Sequence, residues 1–138
     1  MSIKLGIVMD PLPTINIKKD SSFAMMLAAQ KLGWEIHTMY QSDLYTDNQT
    51  ARAFSRTTTV EDNPQHWFDF SAEQDIELSS LDAIIMRKDP PFDIEYITST
   101  YILELAEKLG TLIVNKPASL RNNNEKMFIA QFPQCCTP

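Results

Sequence analysis

Residues 83–114 read AIIMRKDPPFDIEYITSTYILELAEKLGTLIV, and this stretch decides the fold. Ala83 to Met86 is a short apolar run with β-branched content, the signature of a buried strand. Pro90 and Pro91 break it into a loop, and Asp93 offers a helix N-cap. Ile97, Tyr101 and Leu105 then recur at helical spacing and are expected to form the inner stripe. Lys108-Leu109-Gly110 closes the helix, and Thr111 to Val114 is the next strand. The same order appears nearer the start. Residues 3–9 (IKLGIVM) form a strand that Asp10-Pro11 ends, with Ile7, Val8 and Met9 apolar in succession, as in a strand covered on both faces. A loop over residues 11–19 carries Asn16, Lys18 and Lys19. Asp20, Ser21 and Ser22 can cap a helix whose stripe is Phe23, Met26 and Leu27; Gly33 supplies its left-handed terminus, and residues 34–40 are a strand. Two strand–helix–Gly–strand units argue for right-handed crossovers and a parallel sheet. The expected class is therefore α/β: an open, mainly parallel sheet with flanking helices.

Between the units the pattern changes. Leu44-Tyr45-Thr46, Asp47-Asn48 and Thr50 to Val60 read as an inserted β-hairpin, with Arg52, Phe54 and Arg56 on one face and Ala51, Ala53 and Ser55 on the other. The expected role is a flap that covers core or meets a sister subunit. Asn63-Pro64 turns the chain into Trp67-Phe68-Asp69-Phe70. Towards the end, Pro117 suits a first helical turn. Asn123 or Asn124 can cap a last helix bearing Met127, Phe128, Ile129 and Phe132, which Pro133 stops.

Composition removes several classes of function. The 138 residues fit one α/β domain. Twelve basic against eighteen acidic side chains leave a net charge of −6, which disfavours nucleic acid and anionic membrane surfaces as partners. With three glycines, Gly6, Gly33 and Gly110, there is no glycine-rich dinucleotide or phosphate loop. No apolar run approaches the roughly 20 residues of a membrane span. The start lacks the features of a secretory signal, and the two cysteines, Cys135 and Cys136, are adjacent and cannot staple distant segments. A reducing, cytoplasmic setting is expected.

In an open parallel sheet, ligands bind beyond the carboxyl ends of the strands. Asp10, Arg87, Lys88, Asp89, Asn115 and Lys116 fall there, and the loop before the first helix adds Asn16, Lys18, Asp20, Ser21 and Ser22. A helix N-terminus beside an arginine suits a carboxylate, and Asp10 or Asp89 could receive an amine. The set fits a zwitterionic amino acid or peptide. The bland alternative for Asp10 and Asp20 is turn and helix capping; for Arg87 it is an internal ion pair with Asp10 or Asp89. No catalytic constellation is complete. His37 and His66 lack partners at recognisable spacing and read as structural, and no cluster resembles a metal site.

The segments KLGIVMDPLPTINIKKDSSFAMMLAAQKLGWEIH and IIMRKDPPFDIEYITSTYILELAEKLGTLIVNKPASLRNNNEKMF, with the hairpin between them, closely resemble the N-terminal part of the bacterial glutathione synthetase family. The likeness runs from Ile3 to about Phe132, and MRKDPPFD followed by GTLIVNKP and NEK is a highly specific combination. The resemblance implies a Rossmann-like pre-ATP-grasp domain over residues 1–122, with 123–138 forming a linker helix and the start of an ATP-grasp region. It implies an ATP-dependent ligase that joins γ-glutamylcysteine to glycine with ATP and Mg2+ through an acyl phosphate, and a homo-oligomer. By position, Lys126 matches a nucleotide-contacting lysine and Arg87 an arginine near the dipeptide; Asp10, Asn16, Ser21, Ser22 and Asp89 rest on their placement. The acidic Mg2+ ligands and most of the nucleotide pocket belong to the ATP-grasp part in such ligases, so the chain reads as a truncated piece, inactive by itself.

Two other classes fit parts of the pattern. A phosphorelay receiver places an Asp after its first strand, a phosphorylated Asp after a middle one and Lys-Pro after a later one, as Asp10, Asp89 and Lys116-Pro117 would be. Against it, receivers pair two acidic residues where this chain has Asp10 followed by Pro11. A purely structural oligomerisation domain is compatible with the ligase reading.

Overall fold

The computed structural model describes residues 2–124 and 126–136. Glu125 of the NEK motif, and Thr137 and Pro138 of the expected linker region, lie outside them. Eight strands are formed among the described residues: β1 (Lys4–Val8), β2 (Glu35–Met39), β3 (Leu44–Asp47), β4 (Thr50–Val60), β5 (Phe68–Phe70), β6 (Gln74–Glu77), β7 (Ala83–Met86) and β8 (Leu112–Val114). The helices are α1 (Ser21–Lys31), α2 (Ile94–Lys108) and α3 (Pro117–Asn122). Strand order is β3-β4-β2-β1-β7-β8, with β5 and β6 both paired to β4. β2, β1, β7 and β8 run parallel, and β4 joins β2 antiparallel. This is the expected α/β, Rossmann-like architecture.

The two helix ends follow local chemistry. The Asp20 side chain accepts from the Phe23 N–H at 2.7 Å, and Asp93 accepts from Tyr96 N–H at 2.9 Å, so each helix opens on an aspartate cap. Gly33 and Gly110 follow the helices at φ +74° and +108°, a region costly for residues with a Cβ.

β1 is buried on both faces, and its alternation divides the core in two. Leu5, Ile7 and Met9 pack with Phe23, Met26 and Ala29 of α1. Val8 joins Leu78, Ile84, Met86, Leu103, Ala106 and Ile113 on the α2 side. Gly6 faces that second side, where a Cβ would stand 2.7 Å from Leu81 Cδ1 and 2.9 Å from Met39 Cε.

The hairpin is an extension of the sheet. Ala51, Ala53 and Ser55 are buried, and Leu44, Ala51 and Ala53 enter the α2-side core. Thr38 and Thr58, both buried, satisfy one another across β2 and β4 at 2.7 Å. On the opposite face Arg52 pairs with Asp75 and Glu77, and Arg56 with Asp43 and Glu73.

Two sequence expectations fail in whole or in part. The buried face of α2 is Ser99, Thr100, Leu103 and Ala106; of the expected stripe, Leu105 packs half-buried against that core, while Tyr101 is 55% exposed. The large side chains on this side of the sheet (Leu78, Ile84, Met86) leave room for a helix face of small residues. The Ser99 and Thr100 hydroxyls donate within the helix to Glu95 and Ile97 carbonyls and so tolerate burial. Tyr101 is stacked under the Arg121 guanidinium, 4.1 Å from its ring centre. The last helix is absent as well. Residues Phe128–Gln131 and Pro133–Cys135 form separate 3-10 turns. Phe132, before Pro133, adopts φ −128°, ψ 56°, outside the α region that a following proline disfavours. Asn124 does act as the cap, accepting from the Lys126 and Met127 N–H groups. Phe128 and Phe132 meet edge to face at 5.4 Å, while Ile129 and Phe132 remain exposed.

The contacts at Gly6 define a stability test. Gly6→Val overfills the space between Leu81, Met39 and Ile84 and should cost about 1–3 kcal/mol. Chemical denaturation should show an earlier midpoint; an unchanged midpoint would mean that the α2 side of β1 yields more readily than the packing indicates.

Candidate functional site

The chain leaves β1 for β2 on one side of the sheet and returns to β7 on the other. The carboxyl ends of β1 and β7 therefore flank the point where strand order reverses, and a cleft of about 440 Å3 opens there. Its walls are Met9 and Asp10 from the end of β1, Thr14 to Asn16 and Lys19 from the following loop, Asp20 to Ser22 from the start of α1, and Arg87 and Asp89 after β7. All six residues expected to bind substrate (Asp10, Asn16, Ser21, Ser22, Arg87 and Asp89) are brought together. Lys18 is not among the lining residues; Lys19 and Thr14 are. The sequence reading put Lys19 in the loop but not in the site, and did not single out Thr14, which ends the 3-10 turn Leu12–Thr14.

Arg87 is anchored at both ends. Its N–H donates to the Val8 carbonyl at 2.7 Å. Its guanidinium donates from Nε to Ser22 Oγ (3.1 Å) and from Nη2 to Ser21 Oγ (2.7 Å). The hydroxyls orient the guanidinium without neutralising it. The internal ion pair considered for Arg87 is not formed: among the described residues no carboxylate lies within ion-pair distance of it. Asp10 is engaged elsewhere, with Lys88 Nζ at 2.9 Å and the Asp89 N–H at 3.2 Å. Asn16 accepts from the Lys18 N–H at 3.1 Å and shapes the loop.

A second, larger cleft of about 780 Å3 lies across the carboxyl ends of β7 and β8. Arg87 and Asp89 border both clefts. Lys88, Lys116 and Lys126 add positive charge to the second, together with Asn115, Asn123 and Asn124, and Phe92 and Tyr96 form an aromatic wall with ring centres 5.2 Å apart. Burial pushes the Tyr96 phenol above its ordinary value. Lys126 thus lies on the same opening as Arg87, although 39 positions separate them (126 − 87).

The histidines lie away from both clefts. His37 is buried between Glu35 (2.6 Å) and Ser55 (3.2 Å), and His66 pairs with Asp69 at 2.9 Å on the surface. Among the described residues no three His, Cys, Asp or Glu side chains converge on a metal-sized point. No described helix is long and apolar enough to cross a membrane.

The family model "Prokaryotic glutathione synthetase, N-terminal domain" matches residues 3–121. The chain belongs to the prokaryotic glutathione synthetase family. It is 63% identical over 134 residues to a glutathione synthetase of Vibrio vulnificus, covering 97% of this chain and 42% of that protein. The glutathione synthetase of Citrobacter rodentium is 65% identical over 130 residues, 94% of this chain and 41% of the relative. That of Photorhabdus laumondii is 63% identical over 132 residues, 96% and 42%. The chain thus spans about two fifths of the length of the glutathione synthetases it matches. These matches support the ligase-domain reading and lend nothing to the receiver-like one.

The wall of the second cleft offers a direct check. Because burial disfavours the phenolate, Tyr96 should ionise at higher pH than a free tyrosine, and its ionisation should weaken the fold as pH rises. Phenolate absorbance of the protein minus that of Tyr96→Phe isolates it. A difference titration at or below pH 10 would contradict the half-buried position.

Proposed function

We propose that this chain is the substrate-side domain of a glutathione synthetase, an ATP-dependent ligase that joins γ-glutamylcysteine to glycine. The observation that carries the reading is the Arg87 guanidinium, held by the Ser21 and Ser22 hydroxyls at the switch-point cleft of a domain of this family. A fixed planar cation with no carboxylate partner among the described residues is suited to a bidentate contact with a carboxylate of the dipeptide. Asp89, whose side chain has no cationic partner among the described residues, faces the same space and would receive the amine. Asn16, Ser21 and Ser22 supply uncharged hydrogen-bonding groups. Lys126, with Lys88 and Lys116 around the second cleft, would face nucleotide phosphates.

In the reaction, a dipeptide carboxyl takes the γ-phosphoryl group of ATP, and the glycine amine then displaces phosphate to leave the amide, ADP and phosphate. The part of this chain is to bind and orient the dipeptide, which converts an encounter into a positioned attack. Mg2+ would neutralise phosphate charge; the described residues bring no donor set together for it, and no magnesium ligand is assigned to them. Residues 1–122 would act as the substrate domain, with 123–138 leading towards the nucleotide-binding part. The same reading takes the enzyme to be cytoplasmic and homo-oligomeric; the free thiols of Cys135 and Cys136 favour the reducing compartment.

Two measurements test this. The 138 residues alone should release no phosphate above background from γ-glutamylcysteine, glycine and MgATP; turnover by pure chain would refute the division of labour. In the full-length enzyme, Arg87→Ala should raise the dipeptide KM about ten- to a hundredfold, the equivalent of losing about 1.5–3 kcal/mol from a charge-assisted contact, and leave the ATP KM nearly unchanged. Arg87→Lys keeps the charge without the fork and should rescue only in part. A lower melting temperature with an unaltered dipeptide KM would make Arg87 structural.

A further inference from the structure

Asp10 lines the first cleft, yet its carboxylate is spent on the protein. Oδ1 meets Lys88 Nζ at 2.9 Å and Oδ2 accepts the Asp89 N–H at 3.2 Å. Lys88 Nζ also donates to the Asp89 carbonyl at 2.7 Å. The three residues close a ring that ties the segment after β7 to the end of β1. The segment has few other ties. Pro90 and Pro91 carry no N–H, and among the described residues the other bond from its backbone N–H groups to the main chain is Arg87 to Val8.

Strand alternation explains the arrangement. Gly6 and Val8 face α2, so Asp10 follows on that side; Met86 faces α2, so Lys88 does too. Ile85 faces α1, and Arg87 continues towards the α1 hydroxyls. Lys88, one residue on, can reach Asp10 while Arg87 is directed away from it.

We propose that Asp10 and Lys88 form a latch that positions Arg87 and Asp89, and that Asp10 is a positioning residue, not a contact to substrate. The latch does two things. It holds the 87–89 backbone that aims Arg87 and Asp89 into the clefts. It also neutralises the carboxylate that would otherwise compete with the ligand for Arg87. The kinetic part rests on the dipeptide reading above; the latch itself does not.

The test uses the full-length enzyme with Asp10→Ala, Asp10→Asn, Lys88→Met and the Asp10→Asn/Lys88→Met double variant, beside Arg87→Ala. Two quantities are read: the dipeptide KM, and hydrogen exchange of the Asp89 amide in a peptide spanning residues 86–92. Exchange at Asp89 should be faster in Asp10→Ala, and less so in Asp10→Asn, which retains an acceptor. Each single variant should raise the dipeptide KM roughly three- to tenfold with the ATP KM within about twofold. The double variant should be no worse than the larger single, because both changes open one latch. Unchanged exchange in Asp10→Ala overturns the latch. Faster exchange with an unaltered dipeptide KM, where Arg87→Ala raises it, overturns the positioning role. Multiplying effects in the double variant would mean that Asp10 and Lys88 act separately, Asp10 on the substrate itself. If Arg87→Ala also leaves the dipeptide KM unchanged, the substrate reading fails and the exchange measurement alone decides the latch.

Discussion

The parallel register of β1 against β7 is the constraint on which the site depends. Val8 stands opposite Met86, and the bond from the Arg87 N–H to the Val8 carbonyl extends the ladder by one step. That step fixes where β7 stops being a strand. A shift of one residue would reverse every side chain after it, sending Lys88 towards α1 and Arg87 towards Asp10. The register is held from both faces, by Leu5 and Ile7 against α1 and by Val8 and Ile84 against α2. Hydrophobic burial far from the cleft thus sets the direction of its charges.

Close approach reinforces this. Gly6 lets Leu81, Met39 and Ile84 close over the middle of β1. β1 occupies the centre of the strand order, with β2 and the hairpin on one side and β7 and β8 on the other. The carboxyl end of such a strand is flanked by elements of both halves, so loops distant in sequence converge on it. Ser21 and Arg87 meet across 66 positions for this reason.

Much of the architecture was legible because it follows from local rules. Aspartate caps, left-handed glycines and apolar runs marked both strand–helix units, and alternation separated Ala51, Ala53 and Ser55 from Arg52, Phe54 and Arg56. The cleft residues were legible through the rule that ligands lie beyond strand ends. What escaped depends on tertiary context. Choosing Ile97, Tyr101 and Leu105 as the inner face of α2 assumed that the largest apolar groups go inside; Leu105 does pack half-buried there, but the bulky strand side chains opposite favoured Thr100, Leu103 and Ala106 for the buried face. Tyr101 gained a partner in Arg121 that no spacing rule reveals. The tail over Phe128–Cys135 carried helical spacing, but its apolar side chains Met127, Ile129 and Phe132 are exposed, and a short segment without an apolar face to bury has little to hold it as an α-helix. The hairpin covers core, as a flap was expected to, through Leu44, Ala51 and Ala53, but the sequence does not show the β2 edge that β4 extends.

The charges around the cleft illustrate why partner choice matters more than residue type. Asp10 and Arg87 could have formed an ion pair, which would have left a neutral site. Two hydroxyls orient a guanidinium nearly as well as a carboxylate does, since each accepts a hydrogen bond, but they leave its charge uncompensated. An incoming carboxylate then meets an oriented donor and need not displace a protein anion, so less of its binding energy is lost to reorganisation. Asp20 is withheld from Arg87 in the same way, because its carboxylate caps α1 by accepting from Phe23. Asp10 and Asp20 thus each have a backbone N–H or lysine to serve, whereas Asp89 has no cationic partner among the described residues, and Arg87 and Asp89 both border the two clefts.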